Sequence, residues 1–230
     1  MTHAIALDGR TLVLQAEAGQ IEVVGSDTAT VATIQVVRTA RGATEGSTRR
    51  RLAQGEVVRV DGDDEIVQVI AAAPQPPGIE TAFEAVVPSQ ARLYLQLDAG
   101  SITLTDLAGP TVTAQTGEGT IRAQSLASNT TLLVATAGRV DASVRTLLPQ
   151  AQLTISVEEG SAEVELPPTI AAQLDAESRT GRVRVENFAW TTVERNETET
   201  GERVVGQMGE GADARIEVRT GVGTVVVRGR

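Results

Sequence analysis

Apolar and polar residues alternate along much of this chain in short runs, and a glycine divides each run on a recurring beat. In "GEGTIRAQSLASNTTLLVATAGRVDAS" (117–143), Gly119 is followed by Thr-Ile-Arg-Ala and Gly138 by Arg-Val-Asp-Ala. Let Gly19, Gly100, Gly119, Gly138, Gly160, Gly181 and Gly223 mark position zero; the intervals from Gly100 onward are 19, 19, 22, 21 and 42. Five residues before each glycine stand Leu14, Leu95, Ala114, Leu133, Ile155, Ala176 and Val218. Two residues after stand Ile21, Ile102, Ile121, Val140, Ala162, Val183 and Val225. Positions −7 and +4 keep the same character, with Thr131 the polar exception at −7, and position −3 is the fifth inward position, where Thr116, Ser178 and Thr220 stand among apolar residues.

Alternation with period two is the mark of strands with one buried face. A glycine between two such strands supplies a backbone conformation, or a close approach, that a side chain would obstruct. A unit repeated every 19–22 residues stacks on itself, each strand pairing with its equivalent one turn later at about 4.8 Å. The expected fold is therefore all-β, a β-solenoid with parallel stacked sheets and an irregular N-terminal section. Helix signals are nearly absent; "TRRRLAQ" (48–54) is the one weak candidate.

The chain reads as one domain, 1–230. Residues 12–90 form irregular coils with longer loops, in which "ATIQVVR", "EVVRV", "EIVQVIAA" and "ETAFEAVVP" are strands between a charged stretch (39–55) and "PQPPG" (74–78). Residues 91–186 form the regular coils and 213–230 the final coil. Between them, 187–212 takes the place of a whole missing turn and is expected as an extended hairpin or loop leaving the stack.

Composition narrows the chemistry. Aromatics are only 2% of the 230 residues, so the core must be built from Val, Ile, Leu and Ala in thin regular layers. The net charge of −10 disfavours nucleic acid and anionic lipid. All twenty basic residues are arginine, which removes lysine Schiff-base chemistry and any P-loop. Without cysteine there is no disulfide, thiol nucleophile or thiolate-bound metal. The N-terminus lacks a basic then apolar leader, and no apolar run reaches the roughly 20 residues of a membrane helix. As written, the chain is expected to be cytoplasmic, with no membrane insertion.

The run from "FEAVVPSQARLYLQLDAGSITLTDLAGPTVTAQTGEGTIRA" to "GEGADARIEVRTGVGTVVVRGR" resembles a bacterial family known as putative adhesins, a domain of unknown function made of repeated short strands. The shared habits are Pro88 before the first regular strand, G-x-[IV]-x-[LVA] repeats, and a closing "ARIEVRTGVGTVVV". The resemblance covers roughly 80–230, and 12–38 fits its N-terminal part. It implies a right-handed β-helix-like fold and association with the cell envelope, and it brings no catalytic residues.

Candidate sites are few. His3 is the only histidine, so a His-based triad or zinc site is not expected. "DGDDE" (61–65) lacks calcium-loop spacing and reads as a hairpin turn between two strands. Three residues after the glycines come Thr103, Arg122, Asp141, Glu163 and Arg184. Arg122 with Asp141 and Glu163 with Arg184 are expected as neighbouring ion pairs, set against a polysaccharide-lyase site as the sharper reading. "RRR" (49–51) reads as a solvated loop. Phe188 and Trp190 are the candidate partner-binding residues, the alternative being a lid over the solenoid's end. No catalytic residue, metal or cofactor is assigned, and no enzyme activity is expected.

Two functions remain: an adhesin-like binding or scaffold module for an unknown protein or glycan, or a self-assembling structural protein associating through its terminal coils. The second rests on "GTVVVRG" (223–229) leaving an open sheet edge guarded by Arg228 and Arg230.

Overall fold

A computed structural model describes residues 1–40, 46–48, 59–71, 79–211 and 213–230. Fourteen strands follow in chain order: β1 (Thr2–Ile5), β2 (Thr11–Ser26), β3 (Ala32–Ala40), β4 (Arg59–Gly62), β5 (Ile66–Ile70), β6 (Ile79–Pro88) and β7 (Arg92–Thr105). Then come β8 (Thr111–Leu126), β9 (Thr130–Val144), β10 (Gln152–Leu166), β11 (Ala172–Glu186), β12 (Trp190–Glu197), β13 (Glu202–Met208) and β14 (Ala214–Gly229). One helical turn at 46–48 holds Thr48, while the rest of "TRRRLAQ", together with "RRR" and "PQPPG", lies outside the described residues.

The expected solenoid is present. Each rung is one long strand bent at its glycine into two arms, and a short return segment closes the coil. Inward residues sit at odd positions before the glycine and at even positions after it, so the corner shifts the alternation by one residue and keeps both arms facing the same core. Of thirty-five inward positions on seven rungs, all but Val185 are buried. The buried exceptions in polarity, Thr116, Thr131, Ser178 and Thr220, are small enough to sit in the column. Ile121 pairs in register with Val140, and Val140 with Ala162, so equivalent residues form single files along the stack. Return segments stack too: the Ala108 amide donates to the Ser89 carbonyl, and Ala127 to Leu107, each at 2.8 Å.

The corner explains the beat. Gly138 has φ +135°, and a Cβ there would lie 1.9 Å from the Gly119 carbonyl oxygen of the next rung. The same obstruction repeats up the file, Gly119 against Gly100 and Gly160 against Gly138. Gly9 differs: its φ is +82°, but the space beside it is open.

The order of rungs departs from the order of the sequence. The sheet runs β1-β3-β6-β2-β7-β8-β9-β10-β14-β11-β13-β12. β14 lies between β10 and β11 and pairs parallel with both, from Ile216 through Val227. Three expectations are thereby corrected. β10 does not pair with its sequence successor; 187–212 does not leave the stack; and the last strand is not an open edge. The hairpin β12–β13 stays in the sheet because β13 pairs antiparallel with the first arm of β11. Arg228 and Arg230 reach across to Glu163 and Glu165 of β10, and Arg228 also bonds Glu186 of β11 at 3.3 Å.

At the other end the two arms of β2 separate. The first is extended by β5 and β4, the second by β6, β3 and β1. "DGDDE" is the turn of the β4–β5 hairpin, as expected. The Asp63 carboxylate accepts the amides of Glu65 and Ile66, both at 2.8 Å, and those bonds hold its pKa below the ordinary carboxylate value.

Gly138→Ala is expected to cost about 3–5 kcal/mol in urea unfolding, since strain and overlap with the Gly119 carbonyl add. Gly9→Ala should cost only about 1–2 kcal/mol, from positive φ alone. Equal losses would refute the close-approach account of the corner.

Candidate binding surface

Because one face of each arm is committed to the core, the other is presented to solvent as ladders of equivalent side chains. The second arms of β8, β9 and β10 carry the charged ladder. Arg122 stands in register with Asp141 at 4.0 Å, as expected. Arg139 bridges two carboxylates, Asp141 at 2.5 Å and Glu163 at 2.7 Å, and these bonds raise its own pKa, Asp141 contributing most. Glu163 is therefore held by Arg139 and Arg228. Its expected pairing with Arg184 does not form, because β14 intervenes and both residues face Val226 in register.

These side chains line a shallow concavity of about 410 Å³, bounded also by Ser143, Glu165 and Arg230. Asp141, Glu163 and Glu165 each have an arginine at ion-pair distance. A carboxylate engaged by an arginine in this way suits a structural ion pair across the rungs. Among the described residues, no group of three or more His, Asp or Glu is arranged to hold a metal ion.

A second ionic cluster joins the first arms of β11 and β14 to β13. Arg203 clasps Asp175 through Nε at 2.9 Å and Nη2 at 2.8 Å, and Arg219 approaches Asp175 at 3.8 Å and Glu177 at 3.9 Å. The Arg203 bonds hold the Asp175 carboxyl below the usual range. This cluster binds the closing hairpin to the rungs.

Between these clusters lies a surface that the repeat pattern did not single out. On the first arms of β7 to β10, the outward residues four and six before the glycine are Tyr94 and Gln96, Thr113 and Gln115, Leu132 and Val134, Thr154 and Ser156. All eight are uncharged and half-buried by their ladder neighbours. The Gln15 amide donates to Gln96 Oε1 at 3.1 Å, and the Tyr94 hydroxyl donates to the Gln96 and Gln115 amide oxygens at 3.4 Å. Its signal in the sequence was the absence of Asp, Glu and Arg from these positions on four successive rungs of an acidic chain.

Phe188 and Trp190 meet edge to face, ring centroids 6.4 Å apart, and both are partly buried against the core. The Trp190 ring covers Gly206 of β13 and the Phe188 ring lies against Gly229 of β14. Both aromatics thus pack against the closing strands β13 and β14.

The fold is shared with a solved protein. A putative cell adhesion protein from Clostridium sporogenes ATCC 15579 matches over 100% of this chain and 98% of its own, with TM-score 0.59 and 12% identity. A putative adhesin from Bacteroides fragilis NCTC 9343 matches over 99% and 96%, with TM-score 0.38 and 8% identity. No protein-family model matches the chain, and no curated protein does. The resemblance to putative adhesins is thus met as a likeness of fold. Among the described residues, no helix is long and apolar enough to cross a membrane.

Asp175 gives a pH test. Its folded pKa is depressed, so its stabilisation is present above the unfolded value of about 3.9 and is lost as pH falls through the folded value. Asp175→Asn should reduce stability by no more than about 1 kcal/mol at pH 6, since Arg203 is half exposed and screening trims the pair. In urea titrations that difference should shrink towards pH 2; a difference unchanged with pH would remove the ionic account.

Proposed function

We propose that this protein is a non-enzymatic, adhesin-like binding module associated with the cell envelope, and that it contacts a protein or glycan through the uncharged face of β7 to β10. The observation carrying this reading is the run of eight uncharged side chains on four successive rungs, in a chain of net charge −10. With rungs about 4.8 Å apart, the face extends roughly 15 Å along the stack. That matches a few sugar units or one strand of a protein surface.

The chemistry of the face supports contact without catalysis. Tyr94 offers an aromatic plate with a polar tip, the sort of group enriched where one side must be apolar and the other wet. Gln96, Gln115, Thr113 and Thr154 offer donors and acceptors on a fixed grid, held rigid by the ladder beneath. Leu132 and Val134 supply apolar area that costs little to desolvate. The paired arginines and carboxylates of the other arm argue for a structural role there and against a lyase.

The test is a screen of immobilised neutral glycans and cell-envelope proteins with wild-type protein and with the Tyr94→Ala/Leu132→Glu double variant. Saturable binding by the wild type, weakened at least tenfold in a variant of unchanged melting temperature, supports the reading. Binding that ignores the double substitution refutes the face as the contact surface. Light scattering over a range of concentrations separates the self-assembling alternative, which requires mass to grow with concentration.

A further inference from the structure

The second arm of β11 ends the sheet without a covering strand. β14 pairs with it on one side as far as Glu186, whereas β13 covers only 172–178 on the other side before the hairpin turns back at 198–201. Among the described residues this is the one place where an arm of a rung, rather than an antiparallel end strand, forms the sheet edge. It lies on the opposite arm from the uncharged face, so either reading can fail alone.

Three observations describe what this edge offers to a partner. The first is its hydrogen bonding. The Gly181 amide donates to the Thr200 carbonyl at 2.8 Å, and the Val183 amide donates to Glu202 Oε2 at 3.0 Å. The Glu202 carboxylate therefore stands where a neighbouring strand's carbonyl would be, and strand alternation aims the Val185 backbone the same way. The second is the core. Val185 is the single inward residue of the seven rungs left half-buried, whereas Val23, Leu104, Ala123, Ala142, Val164 and Val227 at the same position are buried. The third is charge. Arg184 is exposed on the outer face, and its register neighbour is Val226, so it has no carboxylate across the sheet. A groove of about 490 Å³ lies between this edge and the hairpin tip, lined by Arg184, Arg195, Glu197 and Glu199.

We infer that the 183–186 edge is a strand-addition site for an extended segment of another protein carrying an apolar–acidic–apolar triplet. The two apolar side chains cover Val183 and Val185, completing the core, and the acidic one pairs with Arg184 on the outer face. Main-chain bonds to Val183 and Val185 supply the affinity, and alternate side chains supply the choice of partner. Glu202 swings aside as the incoming carbonyl takes over the Val183 amide, remaining with Arg195, which it already contacts at 3.4 Å.

The experiment uses the full chain and three synthetic peptides, acetyl-VEVEV-amide, acetyl-VRVRV-amide and acetyl-VEPEV-amide. Binding is followed by fluorescence anisotropy, and amide exchange by NMR. The first peptide should bind saturably below about 1 mM and slow exchange of the Val185 amide, and the proline peptide should do neither. Arg184→Glu should weaken the acidic peptide at least tenfold and strengthen the basic one, with the melting temperature unchanged. The inference is overturned by absence of binding below about 1 mM, by binding indifferent to Arg184→Glu, or by binding that leaves the Val185 amide exchanging freely. Concentration-dependent self-association that the acidic peptide blocks would give the edge to a second copy of this chain, and would overturn it as well.

Discussion

The structure depends on carbonyl oxygens and glycines meeting at the corner of every rung. Parallel strands stack at a fixed spacing, and at the bend that spacing leaves no room for a side chain. The glycine file from Gly19 to Gly181 is therefore a spatial requirement as well as a conformational one. Once the corners are aligned, the inward residues of both arms are aligned as well, because each is counted from the same point. Small aliphatic residues then suffice for a core with Phe83 as its largest fully buried side chain.

This is why the fold was legible in the sequence while the order of its parts was not. Inward positions announce themselves by period two, and thirty-four of thirty-five are buried as the pattern requires. The same pattern cannot tell β10, β11 and β14 apart. Ile155, Ala176 and Val218 are interchangeable fillings for one layer, and Ala162, Val183 and Val225 for another. What discriminates is on the outside. From β14, Arg228 reaches Glu163 on one flanking rung and Glu186 on the other, a contact that exists only when β14 lies between them. Such long-range pairs leave no local trace in sequence.

The surface was legible in a different degree. Because 187–212 takes the place of a missing turn, it was expected to leave the stack; instead it forms a hairpin at the sheet's end, with Val204 buried against the last rung and most of β12 exposed. Leu132 obscured the uncharged face. It points outward beside the inward Thr131, inverting the usual polarity of the alternation at that rung. Over β8 to β10 the second arms carry charged pairs that neutralise one another, while the first arms of β7 to β10 carry a grid with nothing to neutralise.

The interior position of β14 has a consequence for how the molecule is made. β14 is synthesised after β11, β12 and β13, yet it occupies the slot between β10 and β11. In a nascent chain lacking it, β10 and β11 carry matching corners and compatible inward residues, so nothing in their pattern bars them from pairing with each other. Maturation then requires that slot to be held open, or any such pairing to be undone. The order of translation and the order of rungs therefore differ at this slot, which is the kind of mismatch that slows assembly.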